Sequence, residues 1–219
     1  MDDGIILIDK PAGMTSFGVV ARVRRVLSEK AGKKVKVGHT GTLDPFATGL
    51  MILVIGKECR NAETYSKLDK VYEATFTLGQ TSTTGDPEGD LTEISSREPT
   101  RDEIEKTLDG FRGEIMQRPP IFSAIKIAGK RAYKLARDGQ EVEIPERNVT
   151  IHSLELLDYT YPELRIRTHV SSGTYIRSLG VDIGGALGTG AYCSTLQRES
   201  IQKWSLTEAK KLSEFGIKD

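Results

Sequence analysis

The chain has 219 residues, 37% hydrophobic and 28% charged, enough apolar material for a sizeable buried core and unlike a disordered or fibrous protein. Its formal net charge of zero excludes a uniformly basic nucleic-acid binder, yet the charge is unevenly spread. No apolar run reaches the roughly 20 residues of a membrane-spanning helix and no signal-like segment opens the chain, so a cytoplasmic protein is expected, without membrane contact.

In chain order, Gly4–Asp9 reads as a strand and Phe17–Ser28 as a helix capped by Thr15 or Ser16, with Val19, Val20, Val23, Val26 and Leu27 on its apolar stripe and its arginines outward. Between Arg22 and Lys36 lie seven cations (Arg22, Arg24, Arg25, Lys30, Lys33, Lys34, Lys36) against the single acid Glu29. From Leu50 to Ile55 every residue is apolar, the mark of a strand buried on both faces. Two cysteines, Cys59 and Cys193, form no CxxC pair; buried, reduced thiols are expected rather than a zinc ribbon or disulfide framework. In Val71–Leu78 the alternate residues Tyr72, Ala74, Phe76 and Leu78 share one face, where Tyr72 alone would read as an ordinary core tyrosine.

Acids gather from Asp86 to Glu114, and Thr100 with Glu103 forms a capping box for a helix ending near Gly110. Pro119-Pro120 stiffens the start of an excursion over residues 119–147, and between Arg118 and Arg137 lie six cations (Arg118, Lys126, Lys130, Arg131, Lys134, Arg137) and no acid. Within it a short helix is expected from Lys130 to Arg137, stopped by Asp138-Gly139. Ile121, Phe122, Ile125 and Tyr133 cannot all be buried in so short an excursion. The mixture suits a partly unstacked RNA loop, with a surface loop folded onto its own domain as the alternative. Leu164, Ile166, Thr168 and Val170 alternate along a further strand, Ile176, Leu179, Ile183 and Leu187 recur at helical spacing, and a terminal helix is expected from Thr207 to Phe215. The whole reads as one α+β domain, residues 1–219, with a protruding subregion at 119–147.

The most informative stretch is His39-Thr40-Gly41-Thr42-Leu43-Asp44-Pro45-Phe46-Ala47-Thr48-Gly49-Leu50-Met51. Pro45 biases Asp44 away from helical dihedrals and the flanking glycines permit a tight loop, so one carboxylate is held on a turn directly ahead of a buried strand. That is a nucleophile's setting, although Leu-Asp-Pro by itself is equally a turn initiator.

This string closely resembles the motif carrying the catalytic aspartate of the TruB family, the bacterial tRNA pseudouridine-55 synthases. Four more segments resemble that family in family order. They are Gly4 to Ser16 with its Lys10-Pro11 turn, Lys70-Val71-Tyr72-Glu73-Ala74, Pro119 to Lys126 with Gly129 to Tyr133, and Ser172-Gly173-Thr174-Tyr175-Ile176-Arg177. The resemblance implies a pseudouridine synthase fold, a central mixed and mostly antiparallel sheet flanked by helices, with an RNA-binding thumb at 119–147. It implies an isomerase acting on the T arm of tRNA as a monomer, without metal or cofactor. Asp44 is the implied nucleophile, Tyr72 the residue that stacks on the base and removes its C5 proton, and Arg177 the cation that keeps Asp44 charged. His39 would fill the space left by the flipped nucleotide or meet its phosphate. Lys10, Tyr175 and Asp86 would shape the pocket, and Lys126, Lys130, Arg131 and Lys134 would meet phosphates.

The pattern departs in places. Thr83 stands where the family usually has an aspartate, leaving Asp86 as the acid of that loop, and Leu196-Gln197-Arg198 replaces Leu-Arg-Arg. Gln202-Lys203-Trp204 departs from the family's Gly-x-Phe ending, and the chain ends at Asp219 without the usual C-terminal RNA-binding domain. A nonenzymatic RNA-binding module and a hydrolase with an aspartyl nucleophile are the competing readings; the hydrolase lacks a DxD pair at Asp44 and any GxxxxGK[ST] loop. Guide-dependent relatives lack such a thumb, which favours tRNA over another RNA stem-loop.

Overall fold

The computed structural model describes residues 3–123, 125–127, 130–131 and 144–217. Among these the strands in chain order are β1 (Gly4–Lys10), β2 (Val37–His39), β3 (Thr48–Ile55), β4 (Lys70–Leu78), β5 (Gln80–Ser82), β6 (Leu91–Glu93), β7 (Gly113–Gln117), β8 (Lys126–Ile127), β9 (Lys130–Arg131), β10 (Arg147–Thr160), β11 (Glu163–Val170), β12 (Ala191–Ile201), β13 (Trp204–Ser205) and β14 (Lys210–Lys211). The α-helices are α1 (Ser16–Ala31), α2 (Ala62–Ser66), α3 (Arg101–Asp109) and α4 (Ile176–Ala186). The chain divides into two compact units, Met1–Glu73 with Leu196–Asp219, and Ala74–Thr195.

In the first unit β3 is the central strand. It pairs antiparallel with all of β1, from Gly4↔Ile55 to Lys10↔Gly49. Its other edge is shared: β2 takes the C-terminal half, with Val37↔Ile55 to His39↔Leu53, and β12 runs parallel to the N-terminal end, with Gln197↔Thr48 and Arg198↔Gly49. Leu50 to Ile55 are each 5% exposed or less, as an unbroken apolar run requires of a strand covered on both faces. Gly49 has φ +104°, and a Cβ there would lie 2.4 Å from the Arg198 carbonyl oxygen, so only glycine lets the two backbones approach this closely. Helix α1 starts at Thr15, whose hydroxyl accepts from the Gly18 amide at 3.0 Å, and buries Val19, Val20, Val23 and Leu27 while Val26 stays half-buried.

The expected terminal helix does not form. The segment folds as two short 3₁₀ turns, Leu206–Glu208 and Leu212–Phe215, separated by β14. Lys210 and Lys211 of β14 pair with Ile8 and Asp9 of β1. The edge of β1 thus satisfies that backbone in extended form; the first turn closes with a capping box, Ser205 with Glu208, and at the second the Lys211 amide donates to the Glu214 carboxylate at 2.8 Å.

In the second unit β10 forms an antiparallel hairpin with β11 and pairs on its other side with β7. Leu164, Ile166, Thr168 and Val170 are buried, as their alternation predicts, and so are Ile176, Leu179, Ile183 and Leu187 on and just after α4. A Cβ on Gly180 would lie 2.6 Å from the Phe76 ring, so glycine sets how closely α4 lies on β4. Helix α3 begins with the predicted Thr100–Glu103 capping box.

At 119–147, Lys126↔Arg131 and Ile127↔Lys130 pair as a two-stranded ladder, so Lys130 and Arg131 are strand rather than the start of a helix. The rest of that expected helix, with Tyr133, Lys134 and Arg137, lies outside the described residues. Ile121 is 45% exposed. Cys193 is buried, whereas Cys59 is only half-buried, its thiol directed at the Val54 carbonyl at 3.2 Å; no disulfide joins them.

Candidate active site

The Asp44 loop is held through its backbone from four directions, all within the first unit. Ser16, the first residue of α1, donates its hydroxyl to the Leu43 carbonyl at 2.8 Å and accepts from the Leu43 amide at 2.8 Å. Lys10, fully buried at the end of β1, donates Nζ to the carbonyls of Pro11 at 2.7 Å and Pro45 at 3.2 Å, and the Gly13 amide donates to the same Pro45 oxygen at 2.8 Å. Arg198, buried on β12, donates Nε to Leu50 O at 2.7 Å and spreads its two remaining nitrogens over Gly41 O at 3.2 Å and Thr42 O at 3.5 Å. The Thr40 amide donates to Ile52 O at 3.2 Å, and the Ala47 amide closes the turn on Asp44 O at 3.2 Å.

Leu43 and Ala47 are buried on either side of Asp44, which is itself half-buried. A carboxylate between two buried neighbours, on a backbone tied down at Gly41, Thr42, Leu43 and Pro45, is positioned before any substrate arrives. His39 closes β2 and is half-buried beside the start of this loop.

Two further candidate side chains of the first unit, Lys70 and Tyr72, are buried on β4. Lys70 is 7% exposed and donates Nζ to the carbonyls of Ser66 at 3.0 Å and Leu68. Burial and then the neighbouring Arg198 guanidinium push its ammonium down to about 8 from the ordinary lysine value, against the pull of Asp69. Tyr72 is buried two residues further along β4, on the inward phase of that strand. Phe17 stands out beside Ser16 with 65% of its surface exposed.

In the second unit the candidate residues assemble around Arg177, the second residue of α4. Arg177 and Asp86 are 3% and 4% exposed and form an ion pair, Nη1 to Oδ2 at 3.0 Å. The guanidinium also donates to the carbonyls of Thr84 at 2.7 Å and Phe122 at 2.9 Å, while Asp86 Oδ1 accepts from the Thr84 hydroxyl at 2.5 Å and the Glu88 amide at 3.0 Å. A buried charge pair backed on the arginine side by two carbonyls and on the aspartate side by a hydroxyl and an amide is a fixed element of the site. The start of α4 is fixed as well: Gln117 accepts from the Tyr175 amide at 2.8 Å and donates to the Tyr175 carbonyl at 3.0 Å. The Arg147 guanidinium lies 5.1 Å from the centre of the Tyr175 ring.

Asp44, His39, Lys10 and Tyr72 therefore share the first unit, and Arg177, Asp86 and Tyr175 the second. Lys126, Lys130 and Arg131 lie on the β8–β9 ladder, and Lys134 lies outside the described residues. Sequence reasoning missed the holding roles of Ser16 and Arg198. Ser16 had a signal only as a capping hydroxyl, and Arg198 only as the unchanged residue beside Gln197. Lys70 had a signal only as the first residue of the Lys70–Ala74 segment, and Phe17 only as the start of the expected helix. Among the described residues no helix is long and apolar enough to cross a membrane.

Residues 24–176 match the TruB family pseudouridylate synthase, N-terminal domain. A tRNA pseudouridine synthase B of Dehalococcoides mccartyi is 48% identical over 208 residues, 94% of this chain and 68% of that protein. One of Aquifex aeolicus is 45% identical, covering 97% of this chain and 73% of that protein. A chain in the crystal structure of a Cbf5-Nop10-Gar1 complex superposes with a TM-score of 0.74 at 30% identity, covering 98% of this chain and 57% of that one. A chain of an H/ACA RNP bound to a substrate RNA containing 2′-deoxyuridine gives 0.70 at 27% identity, covering 99% of this chain and 56% of that one. The mixed α+β architecture is thus that of pseudouridine synthases, and with motif, sequence and fold in agreement this chain belongs to the TruB family of pseudouridylate synthases.

Proposed function

We propose that the chain isomerises the T-loop uridine, position 55, of tRNA to pseudouridine, with Asp44 as nucleophile. The observation that carries this reading is the tethering of the Asp44 loop by Ser16, Lys10 and Arg198, which holds the backbone of one half-buried aspartate in place, as a pre-positioned nucleophile requires. The reaction breaks the N1–C1′ bond, turns the base and forms a C5–C1′ bond; the C5 proton leaves and N1 gains one. Atoms and electrons balance within the nucleotide, so the chemistry itself calls for no redox partner.

In this reading Asp44 attacks either C6 of the base or C1′ of the sugar, and its ionised form is required for both. Arg177, held by Asp86, supplies the positive charge that keeps Asp44 ionised. Tyr72 stacks on the base and takes the C5 proton. His39 occupies the place of the extruded nucleotide or meets its phosphate. Phe17 adds a stacking face beside the loop, and Lys126, Lys130, Arg131 and Lys134 meet the T-arm backbone. The chain acts as a monomer, with residues 1–219 working as one catalytic domain.

The named tRNA synthases, at 48% and 45% identity, favour tRNA over the RNAs of the H/ACA particles, whose chains are 30% identical or less. Incubation with an unmodified tRNA transcript followed by pseudouridine mapping tests the proposal. One new pseudouridine in the T loop is expected. Asp44→Asn, nearly the same in shape, is expected to abolish it while keeping RNA affinity within about tenfold. No product, product elsewhere, or Asp44→Asn turnover within tenfold of wild type overturns the reading.

A further inference from the structure

The first basic stretch of the sequence has no part in the site just described, and the structure gathers it with cations from another segment. Lys33, Lys34 and Lys36 follow the end of α1, while Lys57 and Arg60 lie on the 3₁₀ turn Gly56–Asn61 after β3. Together they line one cavity of about 370 Å³, and Arg24 extends it through an adjoining hollow that shares Lys34 and Lys36. The only acid on these walls is Asp3. Its Oδ1 is engaged by the Lys57 amide at 2.9 Å, and its Oδ2 stands 3.8 Å from a Lys57 ammonium that is 83% exposed.

Among the described residues no acid pairs with Arg24, Lys33, Lys34, Lys36 or Arg60. The backbone beneath them is fixed: the Val35 amide donates to the Ser28 hydroxyl at 3.0 Å and the Gly56 amide to Lys36 O at 2.9 Å. Five cations held over one hollow, with Arg24 on the adjoining one, repel one another and focus a positive potential there, an arrangement that an anion relieves.

We propose that this hollow is a second binding surface for the phosphate backbone of the same RNA, remote from the reacting base. The inference rests on the proposed RNA-modifying function for the identity of the ligand. Its position supports it. The Asp44 loop closes at Thr48, at one end of β3, and the hollow begins at Ile55, at the other. Eight strand residues separate the two by about 23 Å at roughly 3.3 Å per residue. At the spacing of B-form DNA, about 3.4 Å per phosphate along a strand, roughly seven phosphates cover that distance, and an A-form RNA strand, more compact along its axis, needs slightly more. A stem whose loop sits at Asp44 is long enough to span that distance with its backbone. The walls carry no large apolar side chain exposed for insertion into lipid, since Val35 and Ile55 are half-buried and buried. A concave basic surface fits a ridge of phosphates better than a flat bilayer.

The test uses the full chain and a variant with Lys33→Ala, Lys34→Ala, Lys36→Ala and Arg60→Ala, titrated with unmodified tRNA at several salt concentrations. A control replaces the exposed Lys67, Arg101, Lys106 and Lys211 by alanine, which lowers net charge equally. The hollow variant is expected to bind at least tenfold more weakly, with the slope of log affinity against log salt reduced by about 0.7 to 0.9 for each phosphate that is no longer neutralised. Turnover at saturating tRNA should stay within threefold of wild type. On a stem-loop with only four base pairs, too short to reach the hollow, variant and wild type should bind alike.

An unchanged slope, an effect no larger than the control's, or an equal loss on the short stem-loop overturns the proposal. So does tighter retention of wild type by phosphatidylserine vesicles than by tRNA at the same salt. If wild type forms no pseudouridine, the proposed function fails, while the comparison of long and short RNA still decides the hollow by binding alone.

Discussion

Ser16 and Leu43 are hydrogen-bonded in both directions through a single hydroxyl, 2.8 Å as donor and 2.8 Å as acceptor, which joins the first turn of α1 to the residue before Asp44. Serine can do this because its oxygen carries one proton and two lone pairs. Ser16→Ala leaves the amide and the carbonyl of buried Leu43 without that partner, at about 1–3 kcal/mol for each group. A fall of about 2–4 kcal/mol in unfolding free energy by urea titration is expected. Turnover should drop by at least about tenfold with little change in KM, because a loosened Asp44 is misplaced rather than removed. Normal stability with normal turnover would mean that the loop is held without Ser16.

The Arg177–Asp86 pair is buried at both ends, so removing either partner strands a charge. Arg177→Met and Asp86→Asn are each expected to cost about 3–5 kcal/mol of stability. The double variant should cost less than the two losses added together, by about 1 kcal/mol or more. Both single variants should also lose most activity at temperatures where they remain folded. Additive stabilities in the cycle would show that the two side chains do not depend on each other.

Tyr72→Phe keeps the buried ring of β4 and deletes its hydroxyl. Unfolding free energy should change by about 1 kcal/mol or less, and RNA affinity should hold. Turnover should nevertheless fall at least about a hundredfold, the scale of a lost general base. A rate like that of wild type reduces Tyr72 to packing.

Lys70 gives the fold a pH signature. Its ammonium titrates at about 8 in the folded protein because burial and Arg198 oppose the charge, and near 10.5 when unfolded. Below about pH 8 both states are protonated and the folded state carries the burial penalty. Between about pH 8 and 10.5 the unfolded chain binds more protons, so stability rises with pH through that window. Urea midpoints of wild type and Lys70→Met from pH 7 to 9.5 should therefore converge or cross in favour of wild type. Parallel curves would place the Lys70 ammonium in water.

The elements legible in the sequence are those whose hydrogen bonds close locally or whose burial follows a short period. The apolar run of β3, the Thr100–Glu103 capping box and the stripes of α1 and α4 all read directly, because each depends on neighbours within a few residues. The motif around Asp44 likewise read as a family signature, since residue order alone carries it. The 207–215 segment misled for the same reason. Its local helical pattern was sound, but β1, some 200 residues away in sequence, offered the backbone a better partner.

What holds the Asp44 loop was decided only by tertiary structure. Arg198 lies 157 residues from Gly41, Lys10 lies 35 from Pro45, and Ser16 lies 27 from Leu43. No periodicity or spacing links such pairs, because side-chain to carbonyl bonds are chosen by which strands become neighbours. The same holds for the cations of α1's C-terminal end and those after β3, two segments that meet only because β2 pairs with the end of β3. The sequence by itself determined which chemistry the chain carries, and the pairing of distant strands determined which groups hold that chemistry in place.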